Sequence, residues 1–342
     1  MRHRDQWILV EGPFRPVTEG ESPEMAVFAP DFYSLAASRP WKGARVHRFS
    51  RLELQTYCET FLSQQGPLAE VPLEKAPWDE PAKADFAVAL EKTRHLISDG
   101  VLQKTVPVVF SRSLQSVTSF ERALMLRKLL DAPPSLHVYG FWQNGEGFLG
   151  ATPEVLFDYS QGVLRTMALA GTCPKNEKAE RLSLLEDVKE MQEHQFVVED
   201  LKHSLSGLGE VKTEGPHIFE LPTLYHLKTD IEVQCRQKPG FLSLIHQLHP
   251  TPALGVAPRS AGYQWMASFP GQEGRRQFGG PFAFWGAEEA VCLVAIRNLQ
   301  WNKDSAQIGS GCGVVASSEL EREWRELSQK RFAVRKILGL RI

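Results

Sequence analysis

Leu136-His137-Val138-Tyr139-Gly140-Phe141-Trp142-Gln143-Asn144-Gly145-Glu146-Gly147-Phe148-Leu149-Gly150 is the stretch that decides the fold class. Its first half is rich in β-branched and aromatic residues and reads as a strand over 136–142. Asn144-Gly145 supplies the two positions that tolerate positive φ in a two-residue hairpin turn, and 147–150 reads as the returning strand. Two further β-like runs follow at 156–159 and 163–170 without an intervening helix. Parallel neighbours need a long crossover, normally helical, so strand following strand directly points to antiparallel pairing and an α+β fold rather than a doubly wound parallel sheet.

Outward from this stretch the periodicity shifts. Residues 85–97 read as an amphipathic helix stopped by Gly100, and a β-run is expected at 105–110. Further helices are expected near 120–130, 182–205 and 320–338, and strands near 290–299 and 313–316. Residues 1–80 mix short β-like runs (7–10, 25–28) with turns and with Pro72 and Pro77; Pro81 follows. They read as N-terminal strands and a linker belonging to the same fold, with 81–342 as the catalytic region.

The chain has 342 residues, a net charge of −2 and 42% hydrophobic content, so nothing selects nucleic acid or a membrane surface as partner. There is no apolar run of membrane-spanning length, and no signal peptide is read at the N-terminus. Five cysteines with no CxxC pair suit reduced thiols, hence an expected cytoplasmic location, rather than a disulfide frame or zinc site.

The chemistry concentrates in two similar segments. Lys189-Glu190-Met191-Gln192-Glu193-His194 and Glu321-Arg322-Glu323-Trp324-Arg325-Glu326 each carry a pair of glutamates three residues apart, on one helix face. Glu190 and Glu193 line up with Val197 and Leu201, and Glu323 and Glu326 with Lys330, Val334 and Ile337. Both acidic pairs therefore continue a stripe that becomes apolar one turn later. Four inward carboxylates need compensation, and a hard divalent cation with oxygen ligands provides it. Solvated helix faces, with Lys189 and Arg322 as intrahelical partners, are the alternative.

In order along the chain, Gly150-Ala151-Thr152-Pro153-Glu154, Leu169-Ala170-Gly171-Thr172, Glu193-His194, Pro222-Thr223-Leu224-Tyr225-His226-Leu227, His249-Pro250-Thr251-Pro252-Ala253-Leu254, Ala295-Ile296-Arg297, Gly311-Cys312-Gly313 and Glu323-Trp324-Arg325-Glu326 with Lys330 resemble the motifs of chorismate-utilising enzymes. That family includes isochorismate and salicylate synthases and the large subunits of anthranilate and aminodeoxychorismate synthases. The resemblance covers roughly 80–338 and implies one domain of two packed, mainly antiparallel sheets flanked by helices. It implies a Mg²⁺ ion held directly by Glu193 and Glu326, with Glu190 and Glu323 holding the metal or its waters. Chorismate is the implied small-molecule substrate, its ring carboxylate on the metal and its pyruvyl carboxylate on Arg297 and Lys330. Gly171, Thr172, His226, Ala253, Leu254, Gly311 and Gly313 are implied substrate contacts, the last two through backbone N–H groups. His249, held before Pro250, reads as structural.

The resemblance also bears on the reaction. Isochorismate and salicylate synthases carry a lysine at the position of Lys104, where ammonia-using members carry glutamine. The spacing from Gly100 favours this register over one that sets Pro107 there. Lys104 is then the general base for water attack on C2, and protonated Glu154 the acid for the departing C4 hydroxyl. Ala170 stands where one type of aminodeoxychorismate synthase has lysine, and Ala253-Leu254 where salicylate synthases tend to have Thr-Ala. The reading is an isochorismate synthase of the isomerase class, feeding menaquinone or siderophore synthesis, with no glutaminase subunit expected. An ammonia-using large subunit, a salicylate synthase and a non-catalytic chorismate-binding paralogue remain as alternatives.

Overall fold

The computed structural model describes residues 1–3, 6–18, 20–64, 77–175 and 183–341. Six helices fix the labels used below: α1 (Arg51–Ser63), α2 (Lys83–Ser98), α3 (Ser119–Leu129), α4 (Val188–Leu205), α5 (Phe241–Leu248) and α6 (Leu320–Leu338).

Two antiparallel sheets carry the molecule. The nine-stranded sheet runs Gly209–Glu220, Leu224–Cys235, Val163–Pro174, Val155–Ser160, Glu289–Val294, Pro281–Trp285, Ala26–Phe28, Trp41–Lys42, Arg15–Pro16. The five-stranded sheet runs Val108–Ser113, Ala306–Gly311, Asn298–Trp301, Glu146–Thr152, His137–Gln143. Where the expected hairpin lies, Gln143 pairs with Glu146 and the turn residues Asn144 and Gly145 have φ of 53° and 84°, as a two-residue turn of matching twist requires.

The sheets meet through Tyr139 and Phe148 on one side and Phe282, Phe284 and Leu293 on the other. Tyr139, Phe148 and Phe282 pack with ring centroids 5.2–5.8 Å apart. Each such ring contributes roughly 1.5–3 kcal/mol by burial. Helices α1, α3 and α6 cover the outer face of the five-stranded sheet, with Leu299, Trp301 and Ile308 beneath them. Helices α4 and α5 pack on the nine-stranded sheet through Val197, Leu201, Leu244 and Ile245.

Helix α6 spans the expected residues, and Gly339 closes it in the left-handed conformation at φ 71°. Several expected elements differ. The run 105–110 is two strands, because Pro107 lacks an N–H: Lys104–Thr105 pairs with Val256–Ala257, and Val108–Ser113 pairs with Ala306–Gly311. The run 290–299 is also broken, at 295–297, and 313–316 is a loop with a single bridge from Val314 to Thr105. The helix expected from 182 begins at Val188, where Asp187 caps it by accepting from Glu190 N; residue 182 lies outside the described residues.

Candidate active site

Three interruptions of the strands build the site. Strand Glu146–Thr152 ends at Pro153-Glu154, strand Val163–Pro174 carries a bulge between Ala170 and Thr172, and the break at 295–297 leaves Arg297 at φ 56°. A left-handed arginine is a strained backbone, tolerated where surroundings impose it. These three irregularities face one cavity of about 50 Å³. Its wall includes Glu154, Thr172, Glu193, His226, Ala253, Leu254, Arg297, Gly311, Gly313 and Lys330. Leu169, Ala170, Phe278, Ile296 and Ser310 complete much of the rest. A roomier cavity of about 400 Å³ lies between α1, α3 and the N-terminal strands, but its lining is mostly apolar and gathers no cluster of ionisable groups; chemistry selects the smaller one.

At one end stand the cations. Arg297 is buried, which lowers its pKa to about 10. Its Nη2 lies 3.4 Å from His226 Nε2, while His226 Nδ1 lies 3.0 Å from Thr172 Oγ1. A guanidinium only donates, so Nε2 accepts and the proton sits on Nδ1. Burial and then Arg297 hold His226 well below its usual pKa, consistent with a neutral ring. Lys330 Nζ donates to Gly311 O at 2.7 Å and pairs with Glu326 Oε1 at 2.5 Å.

At the other end stand the carboxylates. Glu190 is fully buried: Oε2 accepts from Thr172 N at 2.7 Å, and Oε1 meets Lys189 at 3.0 Å and Arg322 at 2.9 Å. The first bond exists because Gly171 adopts φ 80° at the bulge; a Cβ there would stand 3.0 Å from Glu190 O. Glu193 Oε1 lies 3.1 Å from Lys104 Nζ, and Oε2 lies 3.2 Å from Lys189 Nζ. Burial alone would raise the Glu193 pKa, but Lys104, Lys189 and Lys330 outweigh it and hold it near 2. Glu323 is fully buried with Lys189 Nζ 2.9 Å from Oε1, and its Oε2 has no hydrogen-bond partner. Glu326 is close enough for its charge to act on Lys189 and Glu190.

Lys104 is fully buried and does not itself line the cavity; it lies behind the wall formed by Glu193 and Gly313. Gly313 permits this closeness, since a Cβ there would sit 2.0 Å from Glu193 Oε1 and 2.6 Å from Lys104 Cε. Glu154 does line the cavity. Burial raises its pKa from 4.5 to about 7, against the pull of Lys104, Lys330 and Arg297. His249 has a structural role, its Nε2–H donating to Phe32 O at 3.0 Å.

Gly171, Glu190, Glu323, Glu326 and Lys104 thus stand one layer behind the cavity wall, and the other sequence-derived site residues stand in it. Lys189 was legible only as an intrahelical partner; across the helices it contacts Glu323 as well as Glu190 and Glu193. The donor set suits a hard divalent cation: oxygens only, one of them buried and unpartnered. Among the described residues no three carboxylates are gathered at metal-ligand spacing as they stand, and the Lys189 ammonium lies in their midst.

Residues 45–339 match the family model described as chorismate binding enzyme. The salicylate biosynthesis isochorismate synthase of Pseudomonas aeruginosa is 35% identical over 56% of this chain and 42% of its own length. Isochorismate synthase MenF of Bacillus subtilis is 30% identical over 74% of this chain and 55% of its own length. This chain therefore spans about half the length of those relatives. Among solved structures, the menaquinone-specific isochorismate synthase MenF from Escherichia coli superposes with a TM-score of 0.77 at 20% identity, over 98% of this chain and 86% of that one. Anthranilate synthase component I from Streptococcus pneumoniae gives 0.77 at 15% identity, over 99% and 93%. These two establish a common fold, that of chorismate-utilising enzymes, as expected from the sequence.

Proposed function

This chain belongs to the chorismate binding enzyme family, and from that premise we propose that it is an isochorismate synthase. The observation that carries the proposal is one cavity wall bringing together Glu154, Glu193, Arg297 and Lys330, with Lys104 buried behind it.

Chorismate is a dianion, so it needs positive charge at both ends. Arg297 and Lys330 hold the pyruvyl carboxylate, Arg297 with its donors presented by the strained loop. Glu193 in the wall and Glu326 one layer behind it would hold Mg²⁺ directly, and Glu190 and Glu323 would hold the ion or its waters. When bound, the ion neutralises the ring carboxylate and fixes the ring against the cavity wall. The ring displaces side chains on entry, because the cavity of about 50 Å³ holds little more than water.

Lys104, freed of its pairing with Glu193 and having given up its ammonium proton to solvent, accepts as a neutral amine a proton from the water that attacks C2. Glu154 enters the reaction protonated and gives its proton to the C4 hydroxyl, which leaves as water. One water is added and one is lost, so the net change is an isomerisation. A carboxyl whose pKa sits near 7 is suited to this work at neutral pH. Ala170, at the cavity wall, presents no amine to the ring, and Ala253-Leu254 close it with an apolar surface. No glutaminase partner is required, because the nucleophile is water.

The test is product analysis. Purified protein with chorismate and Mg²⁺ yields isochorismate, resolved by chromatography. Anthranilate or aminodeoxychorismate formed only with ammonium, or salicylate with pyruvate, assigns the chain to another branch. Mg²⁺-dependent chorismate binding without product makes it a non-catalytic binder.

A further inference from the structure

Lys189 has no role in the reaction just described, yet it has the most crowded ionic environment of any described lysine in the site. Its Nζ stands 3.0 Å from Glu190, 3.2 Å from Glu193 and 2.9 Å from Glu323. Glu190 and Glu193 lie one and four positions along α4, and Glu323 reaches across from α6. The side chain is almost wholly buried, and so are all three carboxylates. Among the described residues the other ion pairing across these two helices is that of Arg322, which binds Asp187 and Glu190 at the rim, at 2.8 and 2.9 Å.

Without Lys189, the α4 and α6 carboxylates would face one another in a low-dielectric interior, a repulsion that opposes folding. With it, they are drawn inward onto a point charge. Three carboxylates within 3.2 Å of this one ammonium make it the cluster's own counter-charge. One buried oxygen of the set, Glu323 Oε2, is left unsatisfied by this arrangement. A single ammonium of charge +1 therefore only partly does what a divalent ion would do.

We propose that Lys189 is a built-in counter-cation that holds the carboxylate cluster together in the metal-free protein and competes with the divalent ion for it. The inference rests on the metal reading given above. Its consequence is a deliberately weakened metal site. Mg²⁺ must displace the ammonium from Glu193 or Glu323, and that lowers the affinity for metal alone. With both cations present the site is more positive, which favours arrival of the dianionic substrate. The flexible four-carbon stem lets the ammonium turn toward the rim without movement of the helices.

The experiment is calorimetric titration of the full chain with MgCl₂ alone, comparing wild type with Lys189→Met, together with thermal melting of both with and without the ion. The expected result is Mg²⁺ affinity higher by on the order of tenfold or more in Lys189→Met. The variant should also melt lower than wild type without metal and recover most of that loss with metal. A packing role alone would lower both melts equally and leave the affinity unchanged. Equal or weaker Mg²⁺ affinity in the variant overturns the inference while leaving the metal reading intact. Absence of binding in both proteins overturns both. Should Lys189→Met not fold, crystals of the wild type soaked in Mn²⁺ decide: the ion must be present with Lys189 Nζ withdrawn from Glu193 or Glu323. An ion bound with both contacts kept refutes the competition.

Discussion

Replacing Glu154 with glutamine should make the protein more stable above neutral pH and nearly inactive, a combination that a damaged fold cannot produce. Burial raises the Glu154 pKa from 4.5 to about 7, although Lys104, Lys330 and Arg297 pull the other way. A carboxyl whose folded pKa exceeds its unfolded value binds more protons when folded. Its contribution to stability is thus intact below the unfolded value and erodes as pH rises through 4.5, with the loss complete above about 7. At about 1.4 kcal/mol per pH unit the full penalty is roughly 3 kcal/mol. Glutamine has the same shape and no charge to desolvate, so it escapes this penalty. The unfolding free energy of Glu154→Gln minus that of wild type should therefore grow by roughly 2–3 kcal/mol between about pH 5 and about pH 8. Urea denaturation at the two pH values measures it. Turnover should drop by about 10²–10⁴, the usual worth of a positioned acid. Wild-type kcat/KM should fall as pH rises through about 7, and the residual rate of the variant should lack that limb. Wild-type turnover in Glu154→Gln, or a stability difference that does not change with pH, would refute the assignment.

Other consequences are sharper in direction than in size. Lys104→Ala should lose turnover by about 10²–10⁴ while chorismate binding, read by fluorescence or calorimetry, largely persists. Arg297→Gln should reduce kcat/KM by about 10–100-fold, mostly through KM, since a charged hydrogen bond to the substrate is lost; an unchanged KM places the pyruvyl carboxylate elsewhere. Gly313→Ala forces a methyl to within 2.0 Å of the present Glu193 Oε1, so Mg²⁺ affinity and turnover should both fall, as titration and product assays will show.

What the sequence made legible follows from where its signals are local. The Asn144-Gly145 turn carries its own geometry, and it lies where expected. The stripe of α6 was readable because Glu323, Glu326, Lys330, Val334 and Ile337 recur at helical spacing; Glu323 and Val334 are buried and the other three half-buried. The strands Gly209–Glu220 and Leu224–Cys235 were not anticipated. The first is a mostly exposed edge strand, so it lacks the apolar alternation that marks a half-buried one, and Gly215-Pro216 interrupts it at a register shift. Pro107 split a run that composition alone presented as continuous. At the site, residue types and motif order singled out side chains that the fold brings together, but not their layering. That Lys104 sits behind Gly313, and that Lys189 joins α4 to α6, depends on the sheets bringing residues 104, 189, 313 and 323 together. No spacing within either segment encodes those distances. The left-handed backbone of Arg297 was equally invisible, because arginine gives no local hint of positive φ.

In the proposed reaction water, activated at Lys104, attacks C2 while the C4 hydroxyl departs with a proton from Glu154. Turnover of chorismate with Mg²⁺ in ¹⁸O-labelled water, followed by mass spectrometry and carbon NMR of the product, tests it directly. Isochorismate carrying the solvent label in its C2 hydroxyl is the expected result. Unlabelled isochorismate, or solvent label incorporated on C4 of recovered chorismate with no labelled C2 product, would contradict it.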